Sequence, residues 1–530
     1  MRVGIISVFT DYHRRGRHHR GVLQPQVGPL IAALLPKDVD IHVVNDTWDD
    51  PDWHRHYDLL FLSCLHSDFD RARQISHYWR QRGARTVLGG NFASGHPDLC
   101  AGHFDAVVVG DPETTVPRIW DDFRRGRLQA RYHAEPYDPA TTPTPRFDLA
   151  ARQQILPIGI EASRGCVHSC EFCVLTGLGR RHHYRSPEAV ARDIVAGRRA
   201  CGRFAPWHRR NIVAVYDNNI GGNRRQMRQL CDALAPLNIH WGVCASFDVL
   251  RDDELLAHLA RAGCRGLFVG LESFSPAAIG AMGKRQNRLT EVRSAVARCH
   301  RHGIIVMAGL MLSPAVDDIA YIESIPERLR DSGLHVPTYV CFETPFPGTP
   351  HFDRLVAQDT PAFLPNALLR DFNGYTLVTR PRHATTEEFV TAYKRLVGRL
   401  FSPRARLAKL FDDARTFVGR GHWLPLLFDA IELASESGRL AAKRTFLAGS
   451  DLPPPEYGRI PFGATDFSSA RERDSVLAPL RVTDGDGRVL PIWLGGARNP
   501  AGRHPPAPSP APDSSCTDAP WCEVLVPATP

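Results

Sequence analysis

Short apolar runs alternate with helix-like segments along the first 375 residues, and this alternation restricts the chain to a few folds. The first 135 residues hold runs rich in Val, Ile and Leu, as buried parallel strands are. These runs are Arg2 to Phe9, Asp40 to Val44, Leu59 to Ser63, Arg85 to Leu88 and Asp105 to Val109. Helical apolar spacing separates them, which predicts an α/β fold with a doubly wound, Rossmann-like parallel sheet and a ligand crevice at the carboxyl ends of its strands.

A second series begins after a Pro-rich linker, Pro136 to Pro145. Its strand-like runs are Pro157 to Ala162, Ile212 to Tyr216, Trp241 to Ser246, Gly266 to Leu271, Ile304 to Leu310 and Thr338 to Phe342. Six β-α units in series predict a partial (β/α)6 TIM-like barrel, with its chemistry at the carboxyl ends of the strands.

These patterns divide the chain into five segments. We expect a cofactor-binding sheet domain at 1–135, a linker at 136–150, the partial barrel at 151–375, a mostly helical region at 376–499 and a disordered Pro-rich tail at 500–530.

Composition excludes several classes of protein. The hydrophobic fraction of 43% and the charged fraction of 23% are those of a folded globular chain. The longest apolar runs, such as Ile304 to Leu312, are shorter than the roughly 18 residues of a membrane helix, so we expect a cytoplasmic protein without a membrane span. The net charge of +8 is spread over 65 basic and 57 acidic residues, which does not indicate a nucleic-acid partner.

Three of the 13 cysteines form a motif. Cys166, Cys170 and Cys173 follow the first strand of the second series with C-x3-C-x2-C spacing. Random placement would give this spacing with a probability on the order of 1%. A structural zinc needs a fourth ligand, and only histidines such as His168, His182 and His183 are near in sequence. A four-iron cluster fits better because three thiolates leave one iron open to a small molecule, although a zinc knuckle or free thiols remain alternatives.

The run from Ser163 to Cys173 resembles the radical S-adenosylmethionine (SAM) superfamily. The preceding domain and the linker Pro143 to Leu149 resemble its cobalamin-binding branch, as do Asp217-Asn218-Asn219 and Gly270-Leu271-Glu272-Ser273 at strand ends. Over residues 1–375 the order of these pieces is most similar to the cobalamin-dependent radical SAM methylases, including hopanoid-methylase-like members.

The resemblance implies three cofactors: a 4Fe-4S cluster, SAM and cobalamin. Cys166, Cys170 and Cys173 would bind the cluster, and SAM would bind its open iron. One-electron reduction of SAM, by a donor such as flavodoxin or ferredoxin, would then give a 5′-deoxyadenosyl radical. The residues implied for SAM binding are Asp217, Asn219, Ser246 and Glu272.

Loops of the first domain resemble cobalamin-binding signatures. Ser63 and Leu65 match an S-x-L motif, and Gly89 and Gly90 match a G-G motif where glycine permits close backbone approach. Gly110 begins a loop at the position of a Gly-Glu loop in the family.

A further motif follows the first strand. Asp11 to Gly16 spells D-x-H-x-x-G, in which His13 would be the lower ligand of cobalt; a solvated basic loop is the alternative.

The function implied is methylation of an unactivated carbon in a small molecule or lipid intermediate. The deoxyadenosyl radical would abstract hydrogen from the substrate, and the substrate radical would take a methyl group from methylcobalamin. Alternatives are a cobalamin-assisted cyclisation or rearrangement and, from another class, a non-catalytic iron-sulfur redox sensor. An RNA-modifying role is disfavoured because no separate RNA-binding module is evident.

Overall fold

Two six-stranded parallel sheets form the framework of the computed structural model. The structure describes residues 1–10, 25–179, 182–430, 433, 447–449 and 459–494. The first sheet contains β1 (Arg2–Ser7), β2 (Asp40–Asn45), β3 (Leu59–Ser63), β4 (Arg85–Gly89), β5 (Ala106–Val109) and β6 (Arg131–His133). Its strand order is β2-β1-β3-β4-β5-β6, so the direction of chain progression reverses beside β1 and leaves a crevice at the carboxyl ends.

The second sheet has its strands in consecutive order, β14-β13-β12-β11-β10-β7, and all neighbours are parallel. Its strands are β7 (Gly159–Ile160), β10 (Ile212–Val215), β11 (His240–Ala245), β12 (Cys264–Glu272), β13 (Ile305–Leu312) and β14 (Tyr339–Phe342). Between β7 and β10, the short strands β8 (Ser163–Arg164) and β9 (His183–Tyr184) form an antiparallel pair.

Helices connect the strands of both sheets. Around the first sheet they are α1 (Val27–Ala33), α2 (Phe69–Arg80), α3 (Asn91–Gly95), α4 (Pro97–Cys100) and α5 (Pro112–Arg124). Along the second they are α6 (Val174–Gly177), α7 (Pro187–Cys201), α8 (Trp207–Asn211), α9 (Arg224–Leu234), α10 (Asp253–Arg261), α11 (Pro276–Ala281), α12 (Val292–Arg301), α13 (Ile319–Ser332) and α14 (Pro350–Val356). The chain continues with α15 (Thr386–Leu400) and α16 (Pro403–Val418).

Helices cover the first sheet on both faces. Because side chains alternate along a strand, Leu60 and Leu62 pack in one core with α2, whereas Leu59 and Phe61 pack in another with α1 and α5. The second sheet buries one face against its own connecting helices in a separate core. This double covering of the first sheet matches the doubly wound arrangement that the sequence predicts.

The C-terminal region is less helical than expected where it is described. After α16, residues 424–430 are helical, and the segment 459–494 contains a 3-10 turn at Ala464–Asp466 and short α-helices at Ala470–Leu477 and Pro491–Leu494. The tail from residue 500, and Asp11 to Gly16 with His13, lie outside the described residues. Among the helices that are described, none is both long and apolar enough to cross a membrane.

Candidate active site

A cavity of about 540 Å³ opens on the second sheet, and the predicted cluster and SAM residues all line it. They are Cys166, Cys170, Cys173, Asp217, Asn219, Ser246 and Glu272. They come together because each polar residue lies at or just after the carboxyl end of a parallel strand, where the cysteine loop also begins.

Two close approaches of the backbone shape the cysteine loop. Gly165 has φ +83° at the turn into Cys166, a conformation that favours glycine. At the other end of the loop, a Cβ on Gly177 would lie 2.1 Å from the carbonyl oxygen of Gly348. Glu171 also pairs with Arg354, and its carbonyl accepts a 3.0 Å hydrogen bond from the backbone N–H of His351. The loop is therefore held against α14 and the segment that precedes it.

The surroundings of the cysteines act on their pKa values in opposite directions. Burial raises the pKa of Cys170 and of Cys173, while the ammonium of Lys284 lowers both. The backbone N–H groups of Leu175 and Thr176 also lower the pKa of Cys173. A cation and amide donors beside thiols favour the thiolate form, which is the form that binds iron.

The three cysteines do not form a single-ion site in the described part of the chain. Within the residues described, no group of three or more His, Cys, Asp or Glu side chains could hold a single metal ion. A four-iron cluster does not need such a group, because each cysteine binds a different iron.

Asp217 and Asn219 hold the cysteine loop from the end of β10. The Asp217 carboxylate accepts hydrogen bonds from the backbone N–H of Ala162 at 2.8 Å and from Ser163 Oγ at 2.5 Å. Burial raises the pKa of Asp217 to about 6. Asn219 Oδ1 accepts from the N–H and Oγ of Ser246, each at 3.1 Å, and its Nδ2 lies 3.8 Å from Cys166 Sγ. Their predicted contacts with SAM stay predictions, because both residues also have partners within the protein.

Glu272 has an unusual backbone and one free carboxylate oxygen. Its φ is +65°, at a register shift between β12 and β13. Its Oε1 pairs with Lys284 Nζ, and Lys284 also donates a 2.7 Å hydrogen bond to the carbonyl of Gly270. Its Oε2 is buried and, among the described residues, has no hydrogen-bond partner. A buried acceptor of this kind fits a hydroxyl or amino group of SAM.

A second cavity, of about 460 Å³, lies at the carboxyl ends of the first sheet. The predicted cobalamin residues that the structure describes, Ser63, Leu65, Gly89, Gly90 and Gly110, all line it. Gly90 has φ +97°, and a Cβ there would lie 2.9 Å from Ser63 Oγ, so the backbone can come this close only at glycine.

Polar groups without hydrogen-bond partners, among the described residues, also belong to the lining of this second cavity. Gln26 Oε1 and Asn45 Nδ2 are buried without a hydrogen-bond partner in the described ranges, and both residues line the cavity. Such groups fit a bulky ligand rich in amides, which is the chemistry of cobalamin.

The two cavities meet at the cysteine loop. Asn218 lines both of them, and Arg164 and Gly165 line the cavity of the first sheet while Cys166 lines the other. Arg164 is largely buried and pairs with Glu113 of α5 at 2.9 Å and with Glu161, after β7, at 2.7 Å. It therefore joins a helix of the first sheet to the cysteine loop of the second.

Comparisons with known proteins agree with this arrangement. Residues 160–325 match the family model of the radical SAM superfamily. The bacteriochlorophyllide d C-8(2)-methyltransferase of Chlorobaculum tepidum is 26% identical over 336 residues, 60% of this chain and 73% of that protein. The hopanoid C-2 methylase of Rhodopseudomonas palustris is 26% identical over 420 residues, 76% of this chain and 75% of that protein.

A solved structure has a similar fold. The methyltransferase TsrM from Kitasatospora setae, with cobalamin and a 4Fe-4S cluster bound, aligns with a TM-score of 0.57 and 14% identity over 83% of this chain and 99% of that one. This likeness supports the parallel α/β architecture.

The chain carries a radical SAM domain and is an enzyme of the radical SAM superfamily. The family predicted from the cysteine loop is thus confirmed, and with it a 4Fe-4S cluster and SAM, which a radical SAM domain implies.

Sequence reasoning missed several residues of the site. Lys284 and Gln286 line the cavity after α11, and Gln286 Nε2 lies 3.8 Å from Cys170 Sγ. No spacing in the sequence connects them to the cysteines. Arg164 lies inside the cysteine run. A charged residue directly after an apolar strand was the one sequence signal that could have marked it as part of the site.

Proposed function

We propose that this enzyme is a cobalamin-dependent radical SAM methylase that adds a methyl group to an unactivated carbon of a small molecule or lipid intermediate. The observation that carries the proposal is the shared wall at Asn218, where a cavity lined by the cysteines meets a cavity lined by the cobalamin-like loops. Methyl transfer to a carbon radical needs donor and radical generator to face one substrate, and adjoining cavities provide that arrangement.

The similarity to named methylases and to a cobalamin-bound structure supports the same proposal. In this interpretation the second sheet acts as a partial barrel, with the first sheet as the cobalamin domain. When bound, the cluster and SAM supply the radical, cobalamin supplies the methyl group, and a low-potential donor such as flavodoxin or ferredoxin supplies the electron.

The residues of this chain bind and orient these groups. Cys166, Cys170 and Cys173 hold the cluster, and the Lys284 ammonium offsets the negative charge of their thiolates. The free oxygen of Glu272 accepts a hydrogen bond from SAM.

Other residues fix the shape of the site. Asp217 and Asn219 keep the cysteine loop in place through Ser163 and Ser246. Ser63 and the glycines at 89, 90 and 110 let the backbone lie close to cobalamin.

Isotope labelling tests methyl transfer. The anaerobically reconstituted enzyme is incubated with candidate substrates, a low-potential reductant and SAM carrying a trideuterated methyl group. Each product molecule should appear with one 5′-deoxyadenosine and one S-adenosylhomocysteine, and later-turnover product should gain about 17 mass units, as group transfer of CD3 for H requires.

A cysteine variant is the control. Replacing Cys166, Cys170 and Cys173 together by Ala should remove about four irons and all product, whereas Cys201→Ala, outside the cavity, should change neither. Product accompanied by deoxyadenosine but without label or S-adenosylhomocysteine would contradict methylation and favour a cobalamin-assisted cyclisation or rearrangement.

A further inference from the structure

The cavity of the second sheet extends from the cysteine loop toward the amino ends of the strands. Asp217 and Ser246 line it at the carboxyl end of the strands, while Ile212, the first residue of β10, and Thr338, just before β14, line it at the amino end. Between Gly242 and Ser246 the chain rises about 13 Å at roughly 3.3 Å per residue. The cavity therefore has an amino-terminal half that lies away from the cluster ligands.

This half has a different chemistry from the carboxyl end. Its lining includes Ile212, Gly242, Phe268, Met307, Thr338 and Phe428. Five of these residues have no polar side-chain atom, and Phe268 stacks on Tyr339 with ring centroids 5.5 Å apart. The exception is Thr338 Oγ1, which is buried and, in the described part of the chain, has no hydrogen-bond partner. An apolar ligand with one polar group matches this lining.

Phe428, which belongs to the helical segment 424–430, lines the amino-terminal half. Its neighbour Asp429 is buried and pairs with Lys409 of α16, which also pairs with Asp413 at 2.6 Å. These ion pairs anchor the segment to α16. Phe428 is thus an anchored floor of the cavity.

Gly242 leaves space above this floor. A Cβ at Gly242 would lie 3.4 Å from the Gly266 carbonyl oxygen, 3.5 Å from Phe428 Cε1 and 3.9 Å from Met307 Cε. These are ordinary contact distances, so an alanine Cβ would fit, and the outer atoms of a larger side chain would have to take up cavity space beside Phe428 and Met307. Protein interiors keep few voids larger than a water molecule, and open apolar space of this kind is typical of a binding site.

We propose that the amino-terminal half of the cavity binds the apolar portion of the substrate, with Phe428 as the floor that limits its length and Thr338 as a hydrogen-bonding partner for one polar group. The proposal rests on the proposed function, because it assumes that the reacting carbon lies at the carboxyl end beside Asn218. It adds a substrate class: an elongated, mainly hydrocarbon molecule that extends along the strands.

Binding of a neutral apolar probe tests the site without turnover. N-phenyl-1-naphthylamine is equilibrated by dialysis with the full-length, cluster-reconstituted enzyme, with and without SAM, and bound probe is quantified by chromatography. About one equivalent should bind, and SAM should not displace it, because SAM occupies the opposite end of the cavity.

Two variants reduce the space and should weaken binding. Gly242→Val and Phe428→Trp should each raise the Kd of the probe at least about tenfold. Phe411→Ala is the matched control, because Phe411 is 64% exposed on α16 and does not line the cavity. Circular dichroism and SAM affinity verify that each variant is folded. If Gly242→Val does not fold, Phe428→Trp alone provides the test.

The results separate this proposal from methyl transfer. Displacement of the probe by SAM, loss of binding in Phe411→Ala, or unchanged binding in the folded cavity variants would overturn the apolar site. Failure of the isotope-labelling experiment alone would overturn methylation and leave the probe result intact.

Discussion

The two cavities lie at the same kind of position, the carboxyl ends of parallel strands, but different parts of the chain build them. The wall of the cavity of the first sheet includes backbone at Gly89, Gly90 and Gly110, where no side chain intervenes. The cavity of the second sheet is shaped by side chains in contact with one another, such as Lys284 with Glu272. A site made by backbone needs small residues at a few turns, whereas a site made by side chains depends on complete sets of partners.

We expect the largest loss of stability when the buried ion pair in the cavity of the second sheet, Lys284 with Glu272, is broken. The Lys284 and Glu272 side chains are 11% and 6% exposed, so Lys284→Met leaves a buried carboxylate without its cation. The free energy of unfolding should fall by about 3–5 kcal/mol. Urea denaturation followed by circular dichroism measures the change.

A matched pair on the first sheet provides the control. Arg85 pairs with Asp105 at 2.8 Å, but its side chain is 63% exposed, so Arg85→Met should cost only about 0–1 kcal/mol. Adding Glu272→Gln to Lys284→Met should recover much of the loss, because no buried charge then remains. Equal effects of the two single substitutions would contradict the difference between a buried ion pair in the cavity of the second sheet and an exposed pair on the first sheet.

Substitution of Arg164, at the junction between the cavities, should reduce activity. Arg164→Ala removes the ion pairs that join Glu113 of the first sheet to Glu161 of the second. We expect iron and corrinoid content to persist while the product formed per deoxyadenosine falls about 100-fold, the order of loss that a displacement of about 1 Å causes. The magnetic interaction between cob(II)alamin and the reduced cluster, measured by EPR, should change as well.

A linker arginine distinguishes this effect from loss of charge alone. Arg146 pairs with Asp148 at 2.8 Å two residues away, so Arg146→Ala should leave both the product ratio and the EPR spectrum unchanged. An unaltered EPR spectrum in Arg164→Ala would show that Arg164 does not set the distance between the cavities.

A pH-dependent effect concerns one buried acid in each cavity. Burial raises the pKa of Asp68, beside the first sheet, to about 7 and that of Asp217, beside the second, to about 6. Each folded-state pKa lies above the unfolded value near 4, so each protonated acid stabilises the fold at low pH. That stability is lost as pH rises to about 7 for Asp68 and about 6 for Asp217.

The pH dependence of unfolding checks both values. Between pH 4 and 6 each acid should contribute a slope of at most about 1.4 kcal/mol per pH unit, with unfolding free energy falling as pH rises. Asp68→Asn should remove the part of the pH dependence of the unfolding free energy that extends to about pH 7. Asp217→Asn should remove a part that ends about one pH unit lower. Identical profiles for the two variants would contradict the difference between the sites.

The sequence predicted the parts of this molecule that repeat a local pattern. Every strand of the two sheets except β6 was expected, because these strands are built on apolar runs such as Leu59 to Leu62. The strand Arg131–His133 was missed because it has only three residues and carries Arg and His at its ends. The cysteines were singled out by their C-x3-C-x2-C spacing, and the polar residues at the strand ends by the family resemblance; the structure places both sets on one cavity.

The remaining site residues depend on folding across long distances. Lys284 acquires its role by contacting Glu272 at a backbone irregularity, and Phe428 reaches the cavity from a helix 186 positions after Gly242 in the chain. Neither contact leaves a periodic or spaced signal in the sequence. Side-chain partnerships of this kind are therefore visible only in three dimensions.

The short antiparallel pair of β8 and β9 has a consequence for the assembly of the enzyme. By joining Ser163 to Tyr184 and Arg164 to His183, it closes the stretch that carries all three cysteines into a loop through backbone pairing, which does not involve the cysteine side chains. Part of the entropy of loop closure is thereby lost during folding rather than at metal insertion. We therefore expect cluster assembly to be a late event on an already folded chain, with a rate set by the delivery of iron and sulfide and not by the search of the polypeptide.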